Sequence, residues 1–251
     1  KHALTLGIKS AEGEIIILTD ADCRVGKLWV SSMVYSVINQ NCISIGFSEI
    51  GVSSNSLFEK YQYIDFLSII SANAGSAGWG QNWSGTGQNL AFYKEDFFKI
   101  NGFEPVKDRI SGDDMYLVQS ISKLKKGYIN IDSNSFVKTI AMPTMKEFIN
   151  QRVRWSSNSK LNATENPLFF SFLFTMFIYN IIIIMSFLLG GNWFFLFLFK
   201  FILEGSVIFL GGKLFNRKIE LLPFCLWSIA QPIYIPLVGV LGLKEKFIWK
   251  P

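Results

Sequence analysis

The apolar positions of this chain follow three patterns, and each predicts a different kind of structure. Residues 15–18 form an unbroken aliphatic run that ends just before two carboxylates, Asp20 and Asp22. Such a run is typical of a strand buried on both faces. Residues 27–39 place apolar side chains at helical spacing. Residues 167–199 contain no charged residue, which predicts a membrane-spanning segment rather than an ordinary core helix.

The first 165 residues alternate between short apolar runs and amphipathic stretches, which indicates an α/β domain with a mostly parallel sheet. The rest of the chain, 166–251, is expected to form an all-α membrane region. Strands are expected at 14–18, 43–47, 88–93, 127–131 and 135–139, and helices at 1–8, 27–39, 56–70, 94–100, 112–125 and 144–161. A loop rich in glycine, serine and tryptophan is expected at 71–89. Because such a sheet normally has strands before the first helix, we expect the chain to be a fragment that lacks an N-terminal piece.

The membrane region contains three hydrophobic segments near the ~20 residues that a span requires. They cover residues 167–189, 193–211 and 221–243. Within the second segment, Lys200 and Glu204 are spaced i, i+4, so we expect this pair to face other helices and partly neutralise itself. The third segment contains Pro232 and Pro236, which leaves open a kinked span or an interfacial hairpin, and therefore the side of the C-terminus.

Charge indicates how the chain is oriented and which partners it lacks. The loop 213–220 carries three basic residues, and by the positive-inside rule it is cytoplasmic, together with the α/β domain two passes back. We expect an integral protein of a bacterial inner membrane. The net charge is +5, but the positive charge lies largely beside the membrane segments, so nucleic-acid binding is not expected.

Cysteine and histidine exclude two kinds of chemistry. Cys23, Cys42 and Cys225 are too widely spaced for a disulfide framework or a zinc cluster. The single histidine, His2, lies at the start of the chain, which argues against a Ser-His-Asp or Cys-His mechanism within this chain.

Four polar clusters are candidates for a functional site. Asp20 and Asp22, on the same side of an extended backbone, suit a hard divalent ion that also holds a diphosphate, although a polar turn is the simpler alternative. Residues 84–89 form a glycine-rich loop that lets a ligand approach the backbone, or a plain loop. Residues 111–114 place two acids at a helix start, as a ligand site or as ordinary capping. Residues 151–155 end an amphipathic helix before the membrane, as part of a site or as an interfacial anchor.

The order of these clusters is more specific than any one of them. Asp-x-Asp, Gly-Thr-Gly-Gln-Asn, Gly-Asp-Asp and Gln-x-x-Arg-Trp are followed by membrane segments. This arrangement resembles the membrane-bound family 2 glycosyltransferases with a GT-A (Rossmann-like) fold. That branch includes cellulose, hyaluronan and poly-N-acetylglucosamine synthases and ceramide glucosyltransferase. The motifs cover residues 1 to about 161, and the membrane region agrees by layout only.

The resemblance implies a role for each matching residue. Asp20 and Asp22 would contact the nucleotide-sugar and its Mg²⁺ or Mn²⁺, and Asp114 would be the general base. Gln151 and Arg154 would bind the diphosphate, with Lys1 near the nucleotide. The acceptor would contact Trp155, Gly85, Thr86, Gln88, Asn89 and Asp113, and Trp79 and Trp83 are further candidates for stacking on a sugar. Asp113 stands where the family usually has glutamate, and a Phe-x-Val-Thr gating loop has no clear counterpart.

We therefore expect an inverting glycosyltransferase, with one carboxylate base and no second nucleophile. The donor is expected to be a UDP-linked sugar and the acceptor a glycan or a lipid at the bilayer, with three short segments favouring lipid or short-glycan acceptors. The alternative is a membrane transporter or an anchored nucleotide-binding module without catalysis, for which the Lys200/Glu204 pair is the best support.

Overall fold

The computed structural model describes residues 1–54 and 56–244, and residues 245–251 of the predicted membrane region lie outside this part. The helices and strands are named in chain order. The helices are α1 His2–Ser10, α2 Trp29–Gln40, α3 Leu57–Gly78, α4 Lys94–Lys99, α5 Asp113–Ile121, α6 Met145–Ser156, α7 Ser159–Glu165, α8 Pro167–Leu188, α9 Trp193–Leu214 and α10 Leu221–Leu243. The strands are β1 Ile15–Leu18, β2 Arg24–Val25, β3 Cys42–Gly46, β4 Ser48–Gly51, β5 Leu90–Tyr93, β6 Lys126–Asn130 and β7 Val137–Ile140.

The described strands form two mixed sheets, so the expectation of a mostly parallel sheet was wrong. One sheet has the order β1-β5-β3-β6, and the other has the order β2-β7-β4. Strand β5 is antiparallel to both of its neighbours, whereas β3 and β6 are parallel. The chain reaches β5 only after the long helix α3 and a loop, and it then enters the sheet from the opposite end. Sequence patterning predicted five of the seven described strands and missed β2, β4 and this reversal.

The reversed strand brings two of the polar clusters to one edge of the sheet. Leu18, at the end of β1, lies opposite Leu90, at the start of β5. Asp20 and Asp22 follow β1 and the glycine-rich loop precedes β5, so both clusters lie at this edge. Strand β1 is an edge strand among the described strands and is only partly covered, since Ile16 is its one buried residue.

Two predicted boundaries were wrong because tertiary packing overrides local composition. Helix α3 continues eight residues beyond position 70, into the predicted loop. Its Ser71 packs so tightly against Gly211 of α9 that a side chain at position 211 would collide with it. The single helix expected at 144–161 is two helices, because the chain turns at Ser157 and Asn158.

The three hydrophobic segments are helices in the structure. Within the described residues, three helices are long and apolar enough to cross a membrane: α8, α9 and α10. Helices α8 and α9 form a hairpin whose two ends both reach the α/β domain. Phe169 near the start of α8 stacks on Trp83, with ring centroids 5.2 Å apart, and Phe215 just after α9 stacks on Phe47 at 4.3 Å.

Charged residues fasten the α9–α10 loop to the domain. Arg217 donates from Nη2 to Glu49 Oε1 of β4 at 3.2 Å, and its guanidinium lies over the Phe136 ring. Lys60 of α3 donates to Glu220 Oε2 at 2.7 Å. The basic loop 213–220 is therefore on the same side of the hairpin as the domain.

The charged pair inside α9 is self-neutralising, as predicted. Lys200 Nζ lies 2.6 Å from Glu204 Oε2, and both side chains are nearly buried. Ser228 of α10 donates a second hydrogen bond to the same carboxylate oxygen at 3.2 Å. The pair thus faces α10 rather than lipid, which removes most of the cost of placing charge in an apolar layer.

Candidate active site

The carboxylates after β1 lie on the surface at the edge of the sheet. Asp20 and Asp22 are exposed, and one carboxylate oxygen of each and the Cys23 sulfur all lie within 4.8 Å of one another. Burial, together with the charges of the two aspartates, raises the pKa of the Cys23 thiol, which keeps it protonated. Two carboxylates beside a neutral thiol fit a hard cation such as Mg²⁺ or Mn²⁺ better than a thiophilic metal.

The glycine-rich loop divides into residues that face this edge and residues that support it. Thr86 and Gln88 are half-buried, and Gln88 donates from Nε2 to Thr139 Oγ1 at 3.4 Å. Thr139 of β7 also interacts with the Cys23 thiol, which links the loop to the Asp-x-Asp segment. Sequence reasoning missed Thr139, because only the pairing of β2 with β7 brings it here.

Gly85 and Asn89 have packing and hydrogen-bonding roles in the structure, and their predicted contact with the acceptor stays a prediction. A side chain at Gly85 would meet Leu90 Cδ2 at 2.9 Å, so the glycine is needed for packing. Asn89 is fully buried. Its amide donates to the carbonyl oxygens of Phe47 and Ser135 at 2.9 and 2.7 Å, and its oxygen accepts from the Trp29 indole at 3.0 Å.

We predict that Asn89→Ala lowers the free energy of unfolding by about 3 kcal/mol, because the Trp29 indole N–H and the Ser135 carbonyl lose their hydrogen-bond partner. The Phe47 carbonyl keeps its hydrogen bond from the Val137 N–H. Chemical denaturation of the protein in detergent measures the effect. Asn39→Ala is the matched control, since Asn39 is exposed on α2 and bonds only to a backbone carbonyl. Equal stability of the two variants would contradict the structural role of Asn89.

The two acids at the start of α5 occupy different environments. Gly112 has φ = 88°, in the left-handed region, and turns the chain into the helix. Asp114 accepts from the backbone N–H groups of Met115 and Gly87, at 2.8 and 3.2 Å. Burial nevertheless raises the pKa of its carboxyl, and the neighbouring negative charge of Asp113 adds to this effect. A carboxylate with a raised pKa is a stronger base than an ordinary aspartate.

Lys1 lies beside these acids rather than on a separate surface. Its ammonium is 3.4 Å from Asp113 Oδ1 and also donates to the backbone carbonyl of Arg109. Arg109 in turn pairs with Glu165 at the end of α7. The start of the chain is thus held against the first turn of α5.

Arg154 is the residue whose charge interactions connect the polar clusters. Burial lowers the pKa of its guanidinium, and the negative charges of Asp114, Asp113 and Asp20 oppose that shift. Carboxylates from two distant parts of the sequence therefore interact electrostatically with one half-buried cation, and Ser111 Oγ donates to the Arg154 carbonyl oxygen at 3.4 Å. These interactions connect Asp20, Asp113 and Asp114 to Arg154, and the functional roles of these residues stay predictions.

The neighbouring arginine of the same motif has a structural role that the sequence analysis missed. Arg152 is 3% exposed and donates from Nε to Asp65 Oδ2 of α3 at 2.7 Å. Its guanidinium lies between the rings of Phe148 and Trp155, 4.6 and 4.1 Å from their centroids, and it also donates to the Gln151 side chain. The i, i+3 and i, i+4 spacing on α6 produces this stack.

The tryptophans differ in how much surface they leave for a sugar. Trp155 is half-buried, with Arg152 stacked on its ring, and Trp79 is 89% exposed after the end of α3. Trp83 stacks on Phe169 and Phe172 of α8, so its ring packs at the junction with the membrane helices and is a poor candidate for sugar stacking.

The comparison with known families decides the class of protein. Residues 2–233 match the family model described as glycosyl transferase family 21. The chain belongs to this family. It is therefore a glycosyltransferase, and the alternative of a transporter or a binding module without catalysis is not supported. No curated protein matches the chain.

Proposed function

We propose that this family 21 glycosyltransferase moves a sugar from a nucleotide-sugar, expected to be UDP-linked, to a lipid acceptor at the surface of the bilayer, with inversion at the transferred carbon. The observation that carries the proposal is that the charges of Asp20, Asp113 and Asp114 act on Arg154, whose backbone carbonyl accepts a hydrogen bond from Ser111 Oγ at 3.4 Å, on a helix that packs against α10. We also assign the domain to the GT-A type, on the motif order and the mixed α/β sheets.

The donor side of the site consists of cationic and amide groups. Arg154 suits a diphosphate because its planar guanidinium matches the geometry of phosphate oxygens. Gln151 precedes it by three residues on α6, and Lys1 pairs with Asp113, whose charge acts on Arg154. Asp20 and Asp22 would hold Mg²⁺ or Mn²⁺ together with the diphosphate. When bound, the ion supplies positive charge that stabilises the departing nucleoside diphosphate.

The acceptor side depends on Asp114. A hydroxyl of the acceptor attacks the anomeric carbon, its proton goes to the Asp114 carboxylate, and the bond between that carbon and the diphosphate oxygen breaks. Both Asp114 oxygens already accept one backbone hydrogen bond, which fixes the carboxylate while each oxygen keeps a second lone pair. One base and no second nucleophile make this a single displacement, hence inversion.

A lipid acceptor fits the family and the position of the site. Family 21 is of the glucosylceramide synthase-like type, and α6, which carries Gln151 and Arg154, packs directly on the membrane helix α10 through Phe148 and Tyr234. A headgroup at the bilayer surface would then reach Trp155 and Asp113 without leaving its membrane. The basic loop 213–220, which pairs with the domain, supports a cytoplasmic domain under the positive-inside rule, and we place the protein in a bacterial inner membrane.

The test is release of nucleoside diphosphate by the full-length protein in lipid nanodiscs, with a panel of nucleotide-sugars, candidate lipid acceptors and added Mg²⁺ or Mn²⁺. We predict turnover with one donor, its loss on chelation, and recovery when the ion is restored. Asp22→Asn should need at least ~10-fold more metal for half-maximal rate, because second-sphere and ligand changes cost affinity on this scale. Asp108→Asn, an exposed acid outside the site, is the control. Full activity of Asp22→Asn at low metal would contradict the metal assignment.

A further inference from the structure

We propose that α10 does not cross the membrane but lies in the plane of its interface, against the membrane-facing side of the α/β domain, with an aliphatic face in contact with lipid. The two-span topology that follows puts Lys244 on the same side as the domain. This inference rests on the membrane attachment in the proposed function, and not on catalysis.

The first observation is that α10 contacts elements of the domain along most of its length. Near its start, the Trp227 indole donates to Asp65 Oδ1 of α3 at 3.0 Å. In its middle, the Tyr234 ring stacks on Phe148 of α6, with centroids 5.9 Å apart. Near its end, a side chain at Gly242 would collide with Ser156, the last residue of α6.

These contacts fix the direction of α10 relative to α6. Phe148 and Ser156 are eight residues apart on α6, and their partners Tyr234 and Gly242 are also eight residues apart. Because both helices rise ~1.5 Å per residue, they run side by side in the same direction over about 12 Å. Any tilt of α10 into the membrane would have to be shared by α6.

Helix α6 cannot share such a path. It carries Lys146, Glu147, Arg152 and Arg154 within twelve residues, and each charge at the centre of a bilayer costs roughly 2.5–3.5 kcal/mol. It also presents Arg154 to the charged site. A helix that follows α6 therefore stays at the interface and does not cross the ~30 Å hydrocarbon layer.

The second observation is that the opposite face of α10 is built for lipid. The exposed aliphatic residues recur every three or four positions and form one stripe along the helix: Leu222, Leu226, Ile229, Ile233, Leu237 and Val240. The opposite face is buried. In the most apolar 18-residue stretch of each helix, 33% of α10 is buried, compared with 11% of α8 and 17% of α9. Helix α10 contains no Asp, Glu, Lys or Arg, so its position at the interface follows from its packing along α6 and not from a charged face of its own. Most exposed side chains of the neighbouring helices α8 and α9 are apolar as well, so the occupant of the stripe is lipid.

The test compares depth in the bilayer at two pairs of positions with equal spacing. In a variant with Cys23, Cys42 and Cys225 replaced by alanine, spin labels are attached to Leu222→Cys and Ile233→Cys on α10, and to Phe174→Cys and Met185→Cys on α8. Both pairs are eleven residues apart, which is about 16 Å along a helix. We expect equal, shallow depths for the α10 pair and clearly different depths for the α8 pair. A depth difference on α10 as large as that on α8 would overturn the inference, and so would labels at 222 and 233 that lipid cannot reach.

A sidedness measurement gives an independent answer. In the same background, Lys218→Cys, Asn192→Cys and Lys244→Cys are labelled with an impermeant maleimide in sealed vesicles of both orientations. We expect Lys244→Cys to be labelled together with Lys218→Cys, and Asn192→Cys at the hairpin tip from the other side. Labelling of position 244 together with position 192 would overturn the inference and leave the proposed transferase activity standing.

Discussion

Replacing Asp114 by asparagine is expected to lower the turnover number by about 10²–10⁴-fold, the range typical of loss of a general base. Asparagine keeps the size of the side chain and one oxygen that can accept from Met115, but it cannot take the proton of the acceptor hydroxyl. The Michaelis constant for the donor should change little, because the donor is held by other groups. Nucleoside diphosphate release under saturating donor measures the effect, with Asp108→Asn as the control for loss of one negative charge.

The pH dependence of the same reaction tests the environment of Asp114. The carboxyl must be ionised to act as a base, so the rate falls as pH drops through its pKa. Burial raises that pKa above the ordinary value of 3.8, so the acid limb of the turnover number should lie above pH 3.8. Residual activity of Asp114→Asn should lack this limb. An unchanged acid limb in that variant would show that another group is the base.

The sequence identifies the motif residues of the candidate site, but not the residues that support them. Asp20, Asp114 and Arg154 belong to motifs, and the charges of both aspartates act on Arg154 in the structure, while their roles in the reaction stay predictions. Asn89 belongs to a motif as well, but its side chain forms hydrogen bonds inside the core. A motif does not distinguish a ligand contact from a buried hydrogen-bond partner. Thr139 belongs to no motif and reaches the site only through strand pairing.

The fold shows the same division between local and long-range information. Periodicity located β1, α2 and the three membrane segments, since each depends on the side chains of its own stretch. The reversed strand β5 and the extension of α3 to Gly78 depend on partners far along the chain, β3 and α9. Long-range packing of this kind leaves no periodic signal in the segment concerned.

Arg152 and Arg154 are two residues apart on α6. We expect the replacement of Arg152 to affect mainly stability and the replacement of Arg154 to affect mainly turnover. Arg152→Met should lower the free energy of unfolding by about 3–5 kcal/mol, because it leaves the Asp65 carboxylate buried without its cation. Arg154→Met should lower the turnover number by about 10²–10³-fold, the cost of removing a group that stabilises developing charge. Its loss of stability should be smaller than that of Arg152→Met, because Arg154 is half-buried and Arg152 is buried. Chemical denaturation in detergent and nucleoside diphosphate release measure the two effects.

A double variant separates the two ways in which Arg152 could act. If the cost of Arg152→Met is an unpaired buried charge, then adding Asp65→Leu should recover most of the lost stability, although the Trp227 indole loses its acceptor. If the cost is instead the lost stacking between Phe148 and Trp155, the double variant should be no more stable than the single one. Recovery would mean that α3, α6 and α10 are joined by a polar contact that fixes their positions without being needed for their stability. Arg152 would then position Gln151 and Trp155, and Arg154 would bind the diphosphate.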